Sequence, residues 1–79
     1  MARTLHEIAV EIMADWPRAK RGAARPYLEA MGHLQSVEEK YGLDSGKSIV
    51  LYFLSNAGTW RGETARRIKK ELKELVGEK

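Results

Sequence analysis

The chain has 79 residues, of which 32% are charged; its formal net charge is +3 and it contains no cysteine. This length provides one small core, so we expect residues 1–79 to form a single domain. Disulfides and thiolate metal sites are excluded, and a zinc site would need carboxylates besides His6 and His33, so we predict neither metal nor cofactor.

The longest apolar run covers residues 49–54, and a helix that spans a membrane needs about 20 apolar residues. The N-terminal segment has the spacing of an amphipathic helix instead of the apolar block of a signal peptide. We therefore expect a soluble, cytoplasmic protein with no membrane partner.

The first predicted element is a helix that begins at Thr4. Thr4 and Glu7 have the spacing of a capping box, in which each side chain accepts a hydrogen bond from the other residue's amide. The apolar residues that follow at helical spacing are Leu5, Ile8, Ala9, Ile12, Met13 and Trp16. Pro17 disfavours helical geometry at the residue before it, so the helix should end near Asp15 or Trp16.

The next segment, residues 17–25, is a predicted connector with four basic residues and no acidic one. Its basic residues are Arg18, Lys20, Arg21 and Arg25. We expect an exposed, partly mobile loop. Its charges either contact phosphates or an acidic partner, or belong to a solvated linker and aid solubility.

A second helix is predicted from Pro26 to Tyr41, because proline suits the first turn and Gly42 suits a left-handed cap. Its apolar face consists of Tyr27, Ala30, Met31, Leu34, Val37 and Tyr41. Gly32 lies inside this helix, where it would be tolerated most easily if another helix passed close.

The third predicted helix, residues 45–56, is expected to organise the fold. Asp44 or Ser45 suits its N-cap, and Asn56 and Gly58 suit its end. The six large apolar residues at 49–54 cannot all face one side of a surface helix, so we expect a central, buried helix. They would also suit a buried strand, but no other segment alternates as its partner would.

The fourth predicted helix begins at Thr59 or Trp60 and ends at Gly77. Its buried stripe is Ala65, Ile68, Leu72, Leu75 and Val76. The basic residues at its start and on its other faces are Arg61, Arg66, Arg67, Lys69, Lys70 and Lys73. Most of this charge lies beyond the N-terminal end that a recognition helix presents to base edges, so the pattern suits contacts to the phosphate backbone. The alternative is a solvated face that complements the helix dipole. Together the four segments predict an all-α protein, a compact bundle of four helices.

Several segments carry a family resemblance: DW at 15–16, PYLEAM at 26–31, YGLDSG at 41–46, YFLSNA at 52–57 and WRGETAR at 60–66. In these the chain resembles small uncharacterised accessory proteins of phages, prophages and conjugative elements of Gram-positive bacteria. The resemblance covers nearly the whole chain and assigns no catalytic residue. It implies a protein that binds nucleic acid or blocks a host complex, including CRISPR effectors.

No Ser-His-acid or paired-carboxylate arrangement is supported by the sequence, so we predict a non-enzymatic binding protein. The first hypothesis is contact with nucleic acid or a nucleoprotein through the ten basic residues of the connector and the fourth helix. The alternative is a protein-binding inhibitor or adaptor of a host complex, with Tyr27, Tyr52 or Trp60 as exposed anchors. A third hypothesis is a homodimer built on surplus apolar surface of the third helix.

Overall fold

The computed structural model describes residues 3–77, apart from the side chain of Lys20. The described part contains four α-helices: α1 (Leu5–Asp15), α2 (Arg25–Gly32), α3 (Gly46–Ser55) and α4 (Glu63–Leu75). A 3-10 helix (Pro17–Arg21) follows α1, and an antiparallel hairpin of β1 (Lys40–Tyr41) and β2 (Asp44–Ser45) precedes α3. The prediction of a mostly helical fold is confirmed, but the strict all-α class is wrong because of the hairpin.

The start and end of α1 are as predicted. Thr4 Oγ1 accepts from the Glu7 amide at 3.1 Å, and Glu7 Oε1 accepts from the Thr4 amide at 2.9 Å. Trp16 caps the other end, with its amide donating to the Ile12 carbonyl at 2.7 Å. α1 packs against α2, the 3-10 helix and α4.

The connector after α1 is anchored to the core. Ala19 and Ala24 are 0% and 1% exposed, and the first belongs to the 3-10 helix. The prediction of an exposed, partly mobile loop is therefore wrong for Ala19 and Ala24, although Arg18, Arg21 and Arg25 are exposed as expected. Burial of the two alanines fixes where the exposed arginines stand.

α2 ends at Gly32, well before the predicted end at Tyr41. The chain then crosses the N-terminus of α1, where the Gln35 carbonyl accepts from the Leu5 amide at 3.1 Å and the Leu34 carbonyl from the His6 amide at 3.0 Å. The first turn of any helix leaves such amides without a helical partner. Residues 34–35 are therefore held by tertiary hydrogen bonds, which helical spacing alone could not reveal.

The hairpin occupies the end of the predicted second helix. Gly42 has a left-handed φ of +66°, as predicted, but it stands in the hairpin turn instead of a helix cap. β1 and β2 pair Lys40 with Ser45 and Tyr41 with Asp44, which places Leu43 at the tip, 101% exposed. The hairpin thus presents an apolar side chain directly to solvent.

α3 has the predicted bounds, with Ser45 as N-cap and Asn56 as C-cap. Its apolar run is only partly buried. The buried members are Ile49, Val50 and Phe53, whereas Leu51 and Leu54 are half-buried and Tyr52 is 49% exposed. The prediction that the whole run lies inside the protein is therefore wrong, because α3 packs on α2 and α4 and keeps one face toward solvent.

α4 begins later than predicted, at Glu63, because Trp60 to Gly62 lie outside any helix and Gly62 has φ +115°. Its stripe is as predicted, with Ala65, Ile68, Leu72 and Val76 buried and Leu75 half-buried. The buried side chains of all four helices join one hydrophobic cluster, and the Cα radius of gyration is 11.2 Å.

Candidate nucleic-acid interface

The basic residues of the predicted connector, residues 17–25, lie on two different surfaces. Arg18 lines a cleft shared with Arg61 from the segment before α4. Arg21 and Arg25 instead line a separate groove of about 430 Å³, together with Met13, Leu28 and Glu29. The side chain of Lys20 lies outside the described part of the chain. Of the three basic residues of the connector whose side chains are described, only Arg18 lies beside the second basic segment.

Two of the predicted contact residues have their charge compensated by a carboxylate. Arg25 Nε is 2.8 Å from Glu29 Oε1, one helical turn further along α2. Arg67 Nη2 donates to Glu11 Oε2 and so connects α4 to α1. Both arginines are weaker candidates for phosphate contact than the sequence suggested, because a phosphate would have to compete with an existing partner.

The partner of Arg67 belongs to a larger ion-pair network between α1 and α4. Arg3 Nη1 is 2.5 Å from Glu11 Oε1, and Arg3 Nη2 is 2.6 Å from Glu71 Oε1. Hydrogen bonds from Arg3 and Arg67 lower the pKa of Glu11. The network therefore compensates the charge of Arg67, whereas Arg66, Lys70 and Lys73 of α4 take no part in it.

Five exposed basic residues of the 3-10 helix, the segment before α4 and α4 itself make up what we call the cationic ridge: Arg18, Arg61, Arg66, Lys70 and Lys73. Three adjoining grooves trace it. Arg18 and Arg61 line the first; Arg61, Arg66 and Lys69 line the second; Arg66 and Lys70 line the third, together with Glu63 and the paired Arg67. Lys73 lines none of the three, but its charge acts on Lys69. The two basic segments of the sequence therefore meet on one side of the protein through these residues.

Lys69 lies inside this surface and is engaged with the protein. Its Nζ donates to the Trp60 carbonyl at 2.7 Å and stands 5.9 Å from the centre of the Trp60 ring. Burial lowers the pKa of Lys69, and the nearby charges of Lys73 and Arg61 lower it further. Lys69 thus fixes the approach to α4, and its surroundings carry concentrated positive charge.

The first groove is built around two tryptophans, and we call it the tryptophan cleft. The rings of Trp16 and Trp60 are parallel within 3°, with centroids 5.6 Å apart. Phe53 meets Trp60 edge-on at 6.3 Å, and Trp60 Nε1 donates to Asp15 Oδ2 at 2.8 Å. The cleft has a volume of about 600 Å³. Sequence reasoning missed it, although both tryptophans stand next to the basic segments in the chain.

The aromatic residues predicted as protein-binding anchors differ in exposure. Trp60 is only 3% exposed and is excluded as an anchor. Tyr27 is half-buried and its ring centre lies 5.5 Å from that of Tyr52, which remains 49% exposed. Of the three predicted anchors, Tyr52 offers the most surface to a partner.

Within residues 3–77, no three His, Cys, Asp or Glu side chains are grouped so that they could hold a metal ion. None of the helices in this range has the length and apolar character needed to cross a membrane. No protein family model, curated protein or solved structure matches the chain.

Proposed function

We propose that the protein is a non-enzymatic binding protein that contacts the phosphate backbone of nucleic acid, free or within a nucleoprotein, through the cationic ridge. The observation that carries this proposal is the cleft shared by Arg18 and Arg61, which joins the two basic segments. Along the ridge, five exposed cations have no ion-pair partner among the described residues. Such a surface favours phosphate contacts, which need positive charge and little geometric specificity.

The resemblance to accessory proteins of phages and other mobile elements agrees with this role. A protein of this kind would act on nucleic acid or on a host nucleoprotein complex. The ridge offers Arg66 and Lys70 on neighbouring turns of α4, a spacing that follows one face of the helix. We therefore expect binding that depends on charge more than on base sequence.

The test is a titration of labelled duplex DNA, single-stranded DNA and RNA at low and near-physiological salt. We expect affinity to fall steeply with salt and to weaken about tenfold in the double variant Arg66→Ala, Lys70→Ala. The matched control is Lys40→Ala, which removes an exposed cation from the hairpin. Absence of binding at low salt, or equal losses for Lys40→Ala and each ridge substitution alone, would refute the proposal.

A second candidate function, inhibition or recruitment of a host protein complex, is favoured by the hairpin. Leu43 is 101% exposed at its tip, and Tyr41 is 46% exposed with its ring 5.7 Å from that of His33. An exposed apolar side chain at the tip of a hairpin is suited to a pocket of a protein partner. Capture of a host complex that is lost in Leu43→Ser and retained in Val10→Ser, another exposed apolar position, would support it.

A further inference from the structure

The tryptophan cleft has the size and lining of a site for a small organic anion. Its volume of about 600 Å³ lies within the range of roughly 300–1,000 Å³ that is typical of small-molecule sites. Arg18 and Arg61 line the cleft from two different segments, and Asn56 and Thr59 add polar groups to its wall. The wall also contains the carboxylate of Asp15, which accepts a hydrogen bond from Trp60 Nε1. The cleft therefore combines positive charge, hydrogen-bonding groups and an aromatic surface.

The two tryptophans contribute unequally to this lining. Trp60 is covered on one side by Trp16, is met edge-on by Phe53 and keeps only 3% of its surface exposed. Trp16, also met edge-on by Phe53 at 6.4 Å, is only half-buried, so it is the ring of the stacked pair that retains surface on the cleft. A flat, unpaired base is the group that gains most from contact with such a ring.

We propose that the tryptophan cleft binds one unpaired nucleotide of a nucleic-acid strand, with the phosphate against Arg18 and Arg61 and the base against Trp16. This inference rests on the proposed function, since the ridge would carry the rest of the strand. A base inside a duplex is stacked and paired and does not offer its face to a protein ring. The cleft therefore selects single strands, overhangs and loops, whereas the ridge alone contacts any phosphate backbone.

The chain provides a matched pair of variants for the test. Arg18→Ala removes a cation from the cleft, and Arg21→Ala removes one from the same 3-10 helix but from the separate groove. Both side chains are exposed, so neither substitution should disturb the fold, which circular dichroism checks. Both changes reduce the net charge equally, so any difference between them reports the cleft.

Four probes separate the sources of binding: a single strand of about ten thymidines, an abasic strand with the same number of phosphates, a blunt duplex and free thymidine monophosphate. We expect the thymidine strand to bind about tenfold more tightly than the abasic strand and to quench the fluorescence of the two tryptophans. We expect Arg18→Ala to lose about tenfold for the thymidine strand, and Arg21→Ala to lose much less.

Equal affinity for the thymidine and abasic strands, or equal losses in the two variants, would overturn the inference while binding to the ridge still stood. If free thymidine monophosphate bound as tightly as the strand, the proposal that the bound nucleotide belongs to a strand would be wrong. Failure of all four probes to bind would remove the proposed function together with the inference.

Discussion

Replacement of Gly46 by alanine tests how the hairpin and α3 are held together. Alanine normally stabilises a helix relative to glycine, by about 1 kcal/mol in a helix interior. At Gly46, however, an added Cβ would lie 2.8 Å from the Ser36 carbonyl oxygen, 2.9 Å from Val37 Cα and 3.0 Å from the Val37 carbonyl oxygen. These are backbone atoms, so they cannot move aside as a flexible side chain would.

The shift needed to admit the methyl group would also strain two hydrogen bonds that join the start of α3 to the segment before the hairpin. The Gly46 amide donates to the Glu39 carbonyl at 2.7 Å, and the Lys47 amide donates to the Val37 carbonyl at 3.0 Å. Overpacking of this kind typically costs about 1–3 kcal/mol. For a domain of this size, that corresponds to a loss of very roughly 5–20 °C in Tm.

The assay is urea and thermal unfolding of Gly46→Ala beside Gly32→Ala. Gly32 is the last residue of α2, and a Cβ added there meets nothing within 4 Å. We expect this control to be neutral or stabilising by up to about 1 kcal/mol. If Gly46→Ala were as stable as the wild type, the close packing of α3 on residues 36–37 would be wrong.

Three further substitutions test other contacts. Glu11→Gln should cost about 1 kcal/mol at neutral pH and lower the dependence of stability on salt, because Glu11 joins Arg3 and Arg67 in a half-exposed network. The pKa of Glu11 in the folded protein lies below its ordinary value of 4.5. The stabilisation by Glu11 is therefore complete above about pH 4.5 and is lost as the pH falls through the folded pKa. Urea unfolding across about pH 2–7 should show that the variant loses less stability in acid than the wild type does. Thr4→Ala should cost about 1 kcal/mol by removing the cap of α1, and unchanged thermal unfolding would contradict the capping box. Trp60→Phe should cost at least about 1 kcal/mol, because it removes the donor to Asp15, and an unchanged urea midpoint would count against that bond.

Local signals in the sequence were sufficient for both ends of α1 and for the bounds of α3. The box of Thr4 and Glu7, Pro17 after Trp16 and Ser45 before α3 all act through neighbouring residues, so their spacing predicts their contacts. The predicted length of α2 was wrong because the end of this helix depends on contacts that are distant in sequence. Carbonyls of residues 34–35 cap α1, and residues 36–37 pack on Gly46; helical spacing records neither.

The candidate interface shows the same division between local and distant information. The sequence located the two basic segments and suggested phosphate contact, but it could not show which of their charges are compensated. Arg67 is paired with Glu11, 56 residues away in the chain, and Lys69 donates a hydrogen bond to the Trp60 carbonyl. The pairing of Trp16 with Trp60 likewise joins segments that only the fold brings together.

If only the five cations of the ridge contact phosphate, the dependence of affinity on salt concentration has an upper limit. Each phosphate contact on duplex DNA contributes about 0.9 to the slope of log affinity against log salt concentration. The ten basic residues that the sequence offers would allow a slope near 9, whereas the five cations of the ridge allow at most about 4.5.

A measured slope close to 9 would mean that Arg25 and Arg67 leave their carboxylate partners and that the contact also extends beyond the ridge, to the groove of Arg21. A slope of about 4.5 or less, reduced by about one in Arg66→Ala and unchanged in Arg67→Ala, would place the contact on the ridge. The distinction is physical, because an arginine already paired with Glu11 must break that pair before it can displace a counterion from the nucleic acid.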